Sequence, residues 1–185
     1  YNRYEFSGAN NLVIGLHSDY HYQNYHFFGE GARSQNGALG GMVGVITAIS
    51  KAIDFTVLVR AYAQDFHSFY GKSFSESTRP INESGTYLGL RYTPVRQWQF
   101  SAFYDQFRFP WLKFQIDAPS VGHEYFFHTL YKPNKRWNIY ALYNEKHKAH
   151  NLPNSTATVT PVWESIRRSG LINFSFTKPL KYSLR

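Results

Sequence analysis

The stretch Trp98-Gln99-Phe100-Ser101-Ala102-Phe103-Tyr104-Asp105 alternates between two kinds of side chain. Its even-numbered positions are apolar or aromatic, whereas its odd-numbered positions are mostly polar. Successive side chains of a strand point to opposite faces, so this period of two predicts a β-strand with one apolar and one mixed face. The same alternation recurs at 55–62, 137–144 and 169–177.

This alternation predicts nine strands along the chain and the start of a tenth near residue 180. The expected strand ranges are 11–22, 25–34, 38–49, 54–65, 85–93, 97–107, 121–131, 137–146 and 165–177. Globular strands most often have about 5–6 residues, whereas a tilted strand that crosses a membrane needs about 9–11. The predicted lengths favour membrane-crossing strands.

The predicted connections alternate between short and long. Short connections are expected at 23–24, 50–53, 94–96, 132–136 and 178–179. Between them lie longer ones at 66–84, 108–120 and 147–164, and a smaller one at 35–37. Outer-membrane barrels have short turns at one end and longer loops at the other. We therefore predict an all-β, antiparallel, up-and-down transmembrane β-barrel, located in the bacterial outer membrane.

The predicted strands do not complete a barrel. The tenth would stop after a few residues, while bacterial barrels usually have an even number of strands and must close, because lipid leaves an open sheet edge unpaired. We expect residues 1–185 to form a single segment of about nine to ten strands within a larger barrel.

Composition narrows the chemistry. Aromatic residues make up 19% of the 185 residues and charged residues 17%, and there is no cysteine. A disulfide framework, a thiolate metal site and a thiol nucleophile are therefore excluded. The longest apolar stretch, 38–49, is too short for a membrane helix.

The net charge of +8 comes partly from cations in the predicted short turns. Such a rim can lie against anionic lipid headgroups, or the cations can simply keep the turns soluble. Nothing resembles a cationic, aromatic platform for nucleic acid. We expect the lipid bilayer as a partner and no nucleic acid bound by this segment.

Aromatic residues cluster next to the predicted short turns. They are Tyr20, Tyr22, Tyr25, Phe27, Tyr92, Trp98, Tyr131 and Trp137. Aromatic girdles mark both membrane interfaces of a transmembrane barrel, although aromatic residues also favour strands in general.

The two predicted faces supply candidate functional residues. The polar residues expected to face the lumen are His17, Asp19, His21, Glu30, Arg60, Arg91, Asp105, Glu124, His128 and Arg167. The apolar residues expected to contact lipid are Val57, Val59, Leu88, Leu90, Ile139, Ile172 and Phe174.

Two parts of the sequence hold histidines that could bind a metal ion. His17, Asp19 and His21 share one strand face, and His26 lies on the next strand, but polar side chains are what a water-filled lumen displays. The predicted loop at 147–164 holds His147 and His150, next to lysines that would repel a cation. We predict no metal site and no cofactor.

No catalytic motif stands out: the chain has no Gly-x-Ser-x-Gly elbow and no phosphate-binding loop. We predict a non-enzymatic protein with no catalytic residues. One alternative is an outer-membrane lipid hydrolase that uses a serine and a histidine such as His128. Another is a soluble carbohydrate-binding β-sandwich.

The aromatic loop 107–114 has two interpretations. Phe109, Pro110 and Trp111 could form a docking patch for another envelope protein. The same residues could instead continue the strand beyond the membrane and end it at a proline bend.

Several loop strings resemble those of a known family. They are Phe69-Tyr70-Gly71, the run 74–83 (FSESTRPINE), the run 107–113 (FRFPWLK), the run 117–120 (DAPS), the run 27–30 (FFGE) and Asn36-Gly37. They are similar to the C-terminal barrel region of Gram-negative envelope proteins that carry an N-terminal helix–hairpin–helix module of the competence-protein type. The resemblance spans roughly residues 6–177 and implies an outer-membrane barrel with more strands. It carries over no catalytic residues, and the DNA-gripping module lies outside this sequence.

Together these observations predict a porin-like, non-enzymatic outer-membrane protein. Its expected role is transport, or envelope assembly in a complex with other envelope proteins.

Overall fold

The alternating segments form nine β-strands in a computed structural model, which describes residues 3–152 and 162–176. The strands are β1 (Val13–Tyr22), β2 (Tyr25–Ser34), β3 (Leu39–Ser50), β4 (Ile53–Tyr62), β5 (Glu83–Val95), β6 (Trp98–Phe109), β7 (Ser120–Tyr131), β8 (Trp137–Asn151) and β9 (Val162–Phe176). Each overlaps one of the nine predicted strand ranges.

All nine strands belong to one antiparallel sheet, in which every strand pairs with the next one along the chain. The prediction of an all-β, up-and-down architecture is confirmed. Within the described residues the sheet is not closed, because β1 and β9 each pair with one neighbour only. The tenth strand predicted near residue 180 lies outside those residues. No helix in the described part of the chain is long and apolar enough to cross a membrane.

Short and long connections lie at opposite ends of the sheet. The short-turn end carries 23–24, 51–52, 96–97 and 132–136. The long-loop end carries 35–38, 63–82 and 110–119, together with the end of β8 at Asn151 and the start of β9 at Val162. The connection 35–38 is an exception to the sorting, since it is shorter than 132–136. In the two-residue turn 23–24, Gln23 takes a positive φ of 53°.

β8 is longer than predicted. It runs to Asn151, so His147 and His150 lie on a strand and the prediction that they lie in a loop is wrong. The misleading feature was the charge of Lys146 and Lys148, which suggested solvent. Alternation places both lysines on one face of β8 and His147 on the other.

The pairing register assigns each side chain to a face, because directly opposed residues point to the same side of a sheet. One row of opposed residues crosses the whole sheet: Asp19, Phe28, Gly44, Leu58, Tyr87, Asp105, Glu124, Lys146 and Arg167. We call this side the polar face. The adjacent row holds Tyr20, Phe27, Val45, Val57, Leu88, Tyr104, Tyr125, Glu145 and Arg168, and we call its side the apolar face.

The buried core lies at the long-loop end, where loop residues pack over the polar face. Its apolar members are Leu58, Tyr62, Phe66, Phe107, Phe109 and Ile116. Two glycines make room for these rings. A Cβ on Gly40 would come within 2.7 Å of Phe66, and one on Gly122 within 2.4 Å of Phe107.

Candidate functional site

All ten polar residues proposed to face a lumen lie on the polar face. The register places them in three groups. The first is His17, Asp19, His21 and Glu30 on β1 and β2, the second is Arg60, Arg91 and Asp105 on β4, β5 and β6, and the third is Glu124, His128 and Arg167 on β7 and β9. The structure brings some of them into contact and leaves others apart.

Arg60 and Asp105 meet in a buried ion pair. The guanidinium donates from Nη1 and Nη2 to the two carboxylate oxygens of Asp105, at 2.7 and 3.0 Å. Its Nε donates to Glu83 at 2.7 Å. Arg60 is 1% exposed and Glu83 is fully buried. Gly85 provides the space, since a Cβ there would lie 2.8 Å from Cζ of Arg60.

Glu83 was missed in the sequence because it lies at the predicted boundary between a long loop and a strand. It connects the sheet to the loop 63–82. The Glu83 carboxylate accepts hydrogen bonds from the backbone N–H of Glu76, at 2.8 Å, and of Ser77, at 3.2 Å. The ring of Phe74, from the same loop, lies 5.1 Å from Cζ of Arg60. The loop is thus held down on the polar face at its middle.

A second ionic cluster holds the same loop farther across the sheet. Lys146 on β8 donates to Glu76 at 3.0 Å and also pairs with Glu124. Lys148 pairs with Glu76 as well. Burial alone would raise the pKa of the Glu76 carboxyl, but hydrogen bonds from Lys148 and Lys146 outweigh it and lower that pKa. Loop 63–82 leaves the sheet between β4 and β5 and reaches β8, so it crosses the polar face from β4 to β8.

The two strands farthest from this cluster carry a smaller one. His26 lies on β2 directly opposite His21, with the two rings stacked at 4.0 Å, and its Nε2 is 2.5 Å from Asp19.

Arg91 pairs with Asp54 near the short-turn end, where its side chain is 59% exposed. His128 contacts the rings of Phe126 and Tyr140.

The proposed docking patch is only partly at the surface. Phe109 is the last residue of β6 and is 2% exposed, so it offers almost no surface to a partner, in contrast to the prediction. Pro110 and Trp111 are half-buried. Asn82 holds this segment in place: it accepts from the backbone N–H of Trp111 and donates to its carbonyl, both at 2.9 Å. The other interpretation describes Phe109 better: the strand continues through this residue and ends just before Pro110.

Exposed aromatic rings nevertheless occur at the long-loop end. Tyr70 in loop 63–82 is 98% exposed and Phe114 in loop 110–119 is 88% exposed. Between them, Lys113 turns back over the ring of Phe109, with Nζ 3.3 Å from its centroid. Burial and, to a smaller extent, the positive charge of Lys148 lower the pKa of Lys113 to about 8.

All seven residues proposed to contact lipid lie on the apolar face. They are Val57, Val59, Leu88, Leu90, Ile139, Ile172 and Phe174. Ile172 and Phe174 are 67% and 68% exposed, respectively. The eight aromatic residues predicted to flank the short turns point to this face too, and several stack there: the rings of Trp98 and Tyr131, for example, are 4.3 Å apart.

A second aromatic row on the apolar face was not foreseen. Tyr104 and Tyr125 oppose each other near the middle of β6 and β7 with ring centroids 5.0 Å apart, and Tyr143 lies one strand farther on. Apolar and small side chains, such as Leu90 and Ala102, occupy positions between the two aromatic rows.

The described strands do not form the two facing sheets that the carbohydrate-binding sandwich requires. They make one sheet, and its apolar face carries large exposed side chains. The sandwich alternative is therefore wrong for this part of the chain.

Among known proteins, a match to this chain is found in structure but not in sequence. No protein-family model matches the chain, and no curated protein matches it. A solved structure that does match is described as NanC porin in a rhombohedral crystal form. It is 13% identical, the match covers 93% of this chain and 96% of that chain, and the TM-score is 0.36.

Proposed function

We propose that this chain is a non-enzymatic β-barrel segment of the bacterial outer membrane, with its apolar face in lipid and its polar face toward a lumen. Loop 63–82 lies over that polar face and narrows or plugs it. The partners are the lipid bilayer and, for a role in envelope assembly, other envelope proteins. Transport through the lumen is the principal role proposed.

The observation that carries this proposal is the inverted distribution of polarity. On the apolar face, side chains such as Val43 and Phe174 are more than 60% exposed, whereas the charges of Arg60 and Glu83 are buried on the other face. In water, exposing a continuous apolar stripe while burying ion pairs is unfavourable on both counts. In a bilayer the same arrangement is favourable, since hydrocarbon covers the stripe and the lumen holds the charges.

The two aromatic rows support the same orientation. Tyr and Trp concentrate at both interfaces of a transmembrane barrel, on either side of an apolar band. Trp98 and Tyr131 occupy one row at the short-turn end, and Tyr104 and Tyr125 the other. Polar residues of the apolar face, including Arg108 on β6 and His123 on β7, lie beyond the second row, where the band ends.

The proposal includes two further points: the sheet closes into a barrel, and the chain belongs to the helix–hairpin–helix envelope proteins. An open edge in lipid would leave backbone groups of β1 and β9 unpaired at a cost of several kcal/mol for each group, so in the membrane these edges pair with further strands or with each other. Membership of the helix–hairpin–helix envelope proteins rests on the loop strings quoted above and stays a prediction.

Arginine substitutions on the two faces test the orientation. Val57→Arg places a charge on the apolar face and is expected to lower the free energy of unfolding in lipid vesicles by ~2–4 kcal/mol, the cost near the bilayer midplane. Thr56→Arg, the adjacent residue on the polar face, is the matched control and is expected to cost far less. Equal losses at both positions, measured by urea unfolding, would contradict the proposed facing.

A further inference from the structure

Two histidines and a glutamate meet on the apolar face at the long-loop end. His123 on β7 and His147 on β8 oppose each other directly, with ring centroids 4.2 Å apart. Glu164, from β9, reaches His147: its Oε1 lies 2.9 Å from Nδ1 of that ring. One ligand atom from each of the three residues lies within 4.8 Å of the other two. Three adjacent strands thus deliver two imidazoles and one carboxylate to a single point.

The second ring nitrogen of His147 has a partner of its own. Its Nε2 lies 2.8 Å from Oε1 of Glu145, the residue two positions earlier on the same face. Glu145 is fixed in turn by Arg168, whose Nε donates to it at 2.9 Å, and by the hydroxyl of Tyr143. Histidines that bind metal commonly donate their other N–H to a carboxylate, which sets the tautomer and the ring orientation. Nδ1 of His147 is left to face Glu164.

The nearby cations do not oppose a bound metal. Lys146 and Lys148 lie on the polar face and pair with Glu76, so the sheet separates them from this cluster. Arg168 is on the same face as the histidines, but its charge is matched by Glu145. The carboxylate of Glu164, whose side chain is 59% exposed, remains available to a cation that replaces its contact with His147.

We propose that His123, His147 and Glu164 bind a divalent transition-metal ion, with Glu145 as the residue that positions His147. Two imidazole nitrogens and one carboxylate oxygen suit zinc, which accepts three protein ligands and keeps a fourth position for water. The site lies beyond the second aromatic row, at the edge of the apolar face, and it would form whether or not the sheet spans a membrane.

Zinc titration of the folded, detergent-solubilised protein tests the site. Competition with a chromogenic chelator is expected to give one zinc ion bound per chain. His123→Ala and Glu164→Gln are each expected to weaken that binding at least tenfold. Glu145→Gln is expected to weaken it by roughly 10–100-fold, as is typical when a residue that orients a ligand is lost. Glu164 has a 59% exposed side chain, so Glu164→Gln is expected to keep the fold.

Two histidine variants serve as controls. His150→Ala, on β8 but on the other face, and His26→Ala, in the cluster beside Asp19, are expected to leave zinc affinity unchanged. X-ray absorption at the zinc edge is expected to report two imidazole ligands in the parent protein. Absence of stoichiometric zinc binding would contradict the proposed site, and so would full binding in both His123→Ala and Glu164→Gln. His147 would then be only a histidine paired with two carboxylates. Loss of binding in His26→Ala would move the site to the other cluster.

Discussion

At the scale of single residues, the buried Arg60 has the strongest structural role. It satisfies two carboxylates that are themselves shielded from water, and one of these, Glu83, also holds loop 63–82 by its backbone. Its importance follows from burial: removing one member of a buried ion pair leaves an uncompensated charge, whereas exposed pairs contribute little.

Arg60→Met is accordingly expected to lower the free energy of unfolding by ~3–5 kcal/mol. The matched control is Arg91→Met, which breaks an Arg–Asp pair on the same face whose arginine side chain is 59% exposed, and is expected to cost at most about 1 kcal/mol. Urea unfolding in detergent micelles measures both. Similar losses in the two variants would mean that the Arg60 cluster is solvated.

The lowered pKa of Lys113 makes the free energy of unfolding change with pH in the alkaline range. Because burial lowers its pKa to about 8 in the folded protein, the unfolded chain binds more protons between that pH and the ordinary lysine value, about 10.4. The free energy of unfolding is expected to rise with pH across this window, because raising the pH removes the extra proton that favours the unfolded state. Subtracting the profile of Lys113→Met from that of the parent isolates the effect, and Lys72→Met, at an exposed position, is the control. A difference profile without a rise above pH 8 would contradict the assignment.

At the scale of elements, loop 63–82 is a structured cover held to the sheet by specific charges. Glu76 anchors it to β8 through Lys146 and Lys148, while Glu83 holds the backbone at Glu76 and Ser77. Phe74, two residues before Glu76, packs edge-on against Tyr87 on β5, with ring centroids 5.3 Å apart.

Glu76→Gln is expected to loosen this cover without unfolding the sheet, because it removes the charge at one anchor and keeps the shape. Amide hydrogen exchange is expected to speed up in residues 72–82 and to stay unchanged in β4 and β5. Lys72→Gln changes a charge in the same loop at an exposed position and is expected to have no effect. Unaltered exchange in Glu76→Gln would show that Glu83 alone holds the loop.

The strands were accessible to sequence reasoning, and the loop anchors were not. Alternation over eight or more residues depends only on neighbours in the chain, so nine strands and the facing of residues such as Arg60 and Leu90 could be predicted. Strand ends were less certain, as β8 illustrates, because Lys146 and Lys148 beside His147 resembled a solvated loop. Glu83, by contrast, acts through partners 7 and 23 residues away, and such pairing requires the folded register.

The candidate metal cluster was missed for the same reason. His123 and Glu164 lie far from His147 in sequence, on the neighbouring strands to either side of it. The sequence showed His147 next to two lysines, which argued against a cation. Only the assignment of those lysines to the opposite face removes the objection.

At the scale of the whole molecule, the sheet separates two environments. One face carries an apolar band between two aromatic rows, and the other carries buried charges under a loop. A bilayer outside and a lumen inside account for both faces at once, and the sorting of most short turns to one end agrees with that orientation.

Collision accessibility of spin labels tests this account most directly, and the absence of native cysteine allows single labels to be introduced cleanly. Ala102→Cys and Ser101→Cys place labels one residue apart on β6, on the apolar and polar faces respectively. In lipid vesicles, the label at 102 is expected to collide mainly with oxygen, which concentrates in hydrocarbon, and the label at 101 to have the higher ratio of collisions with a water-soluble nickel chelate. Equal ratios, or nickel collisions dominating at 102, would contradict a lipid-facing sheet.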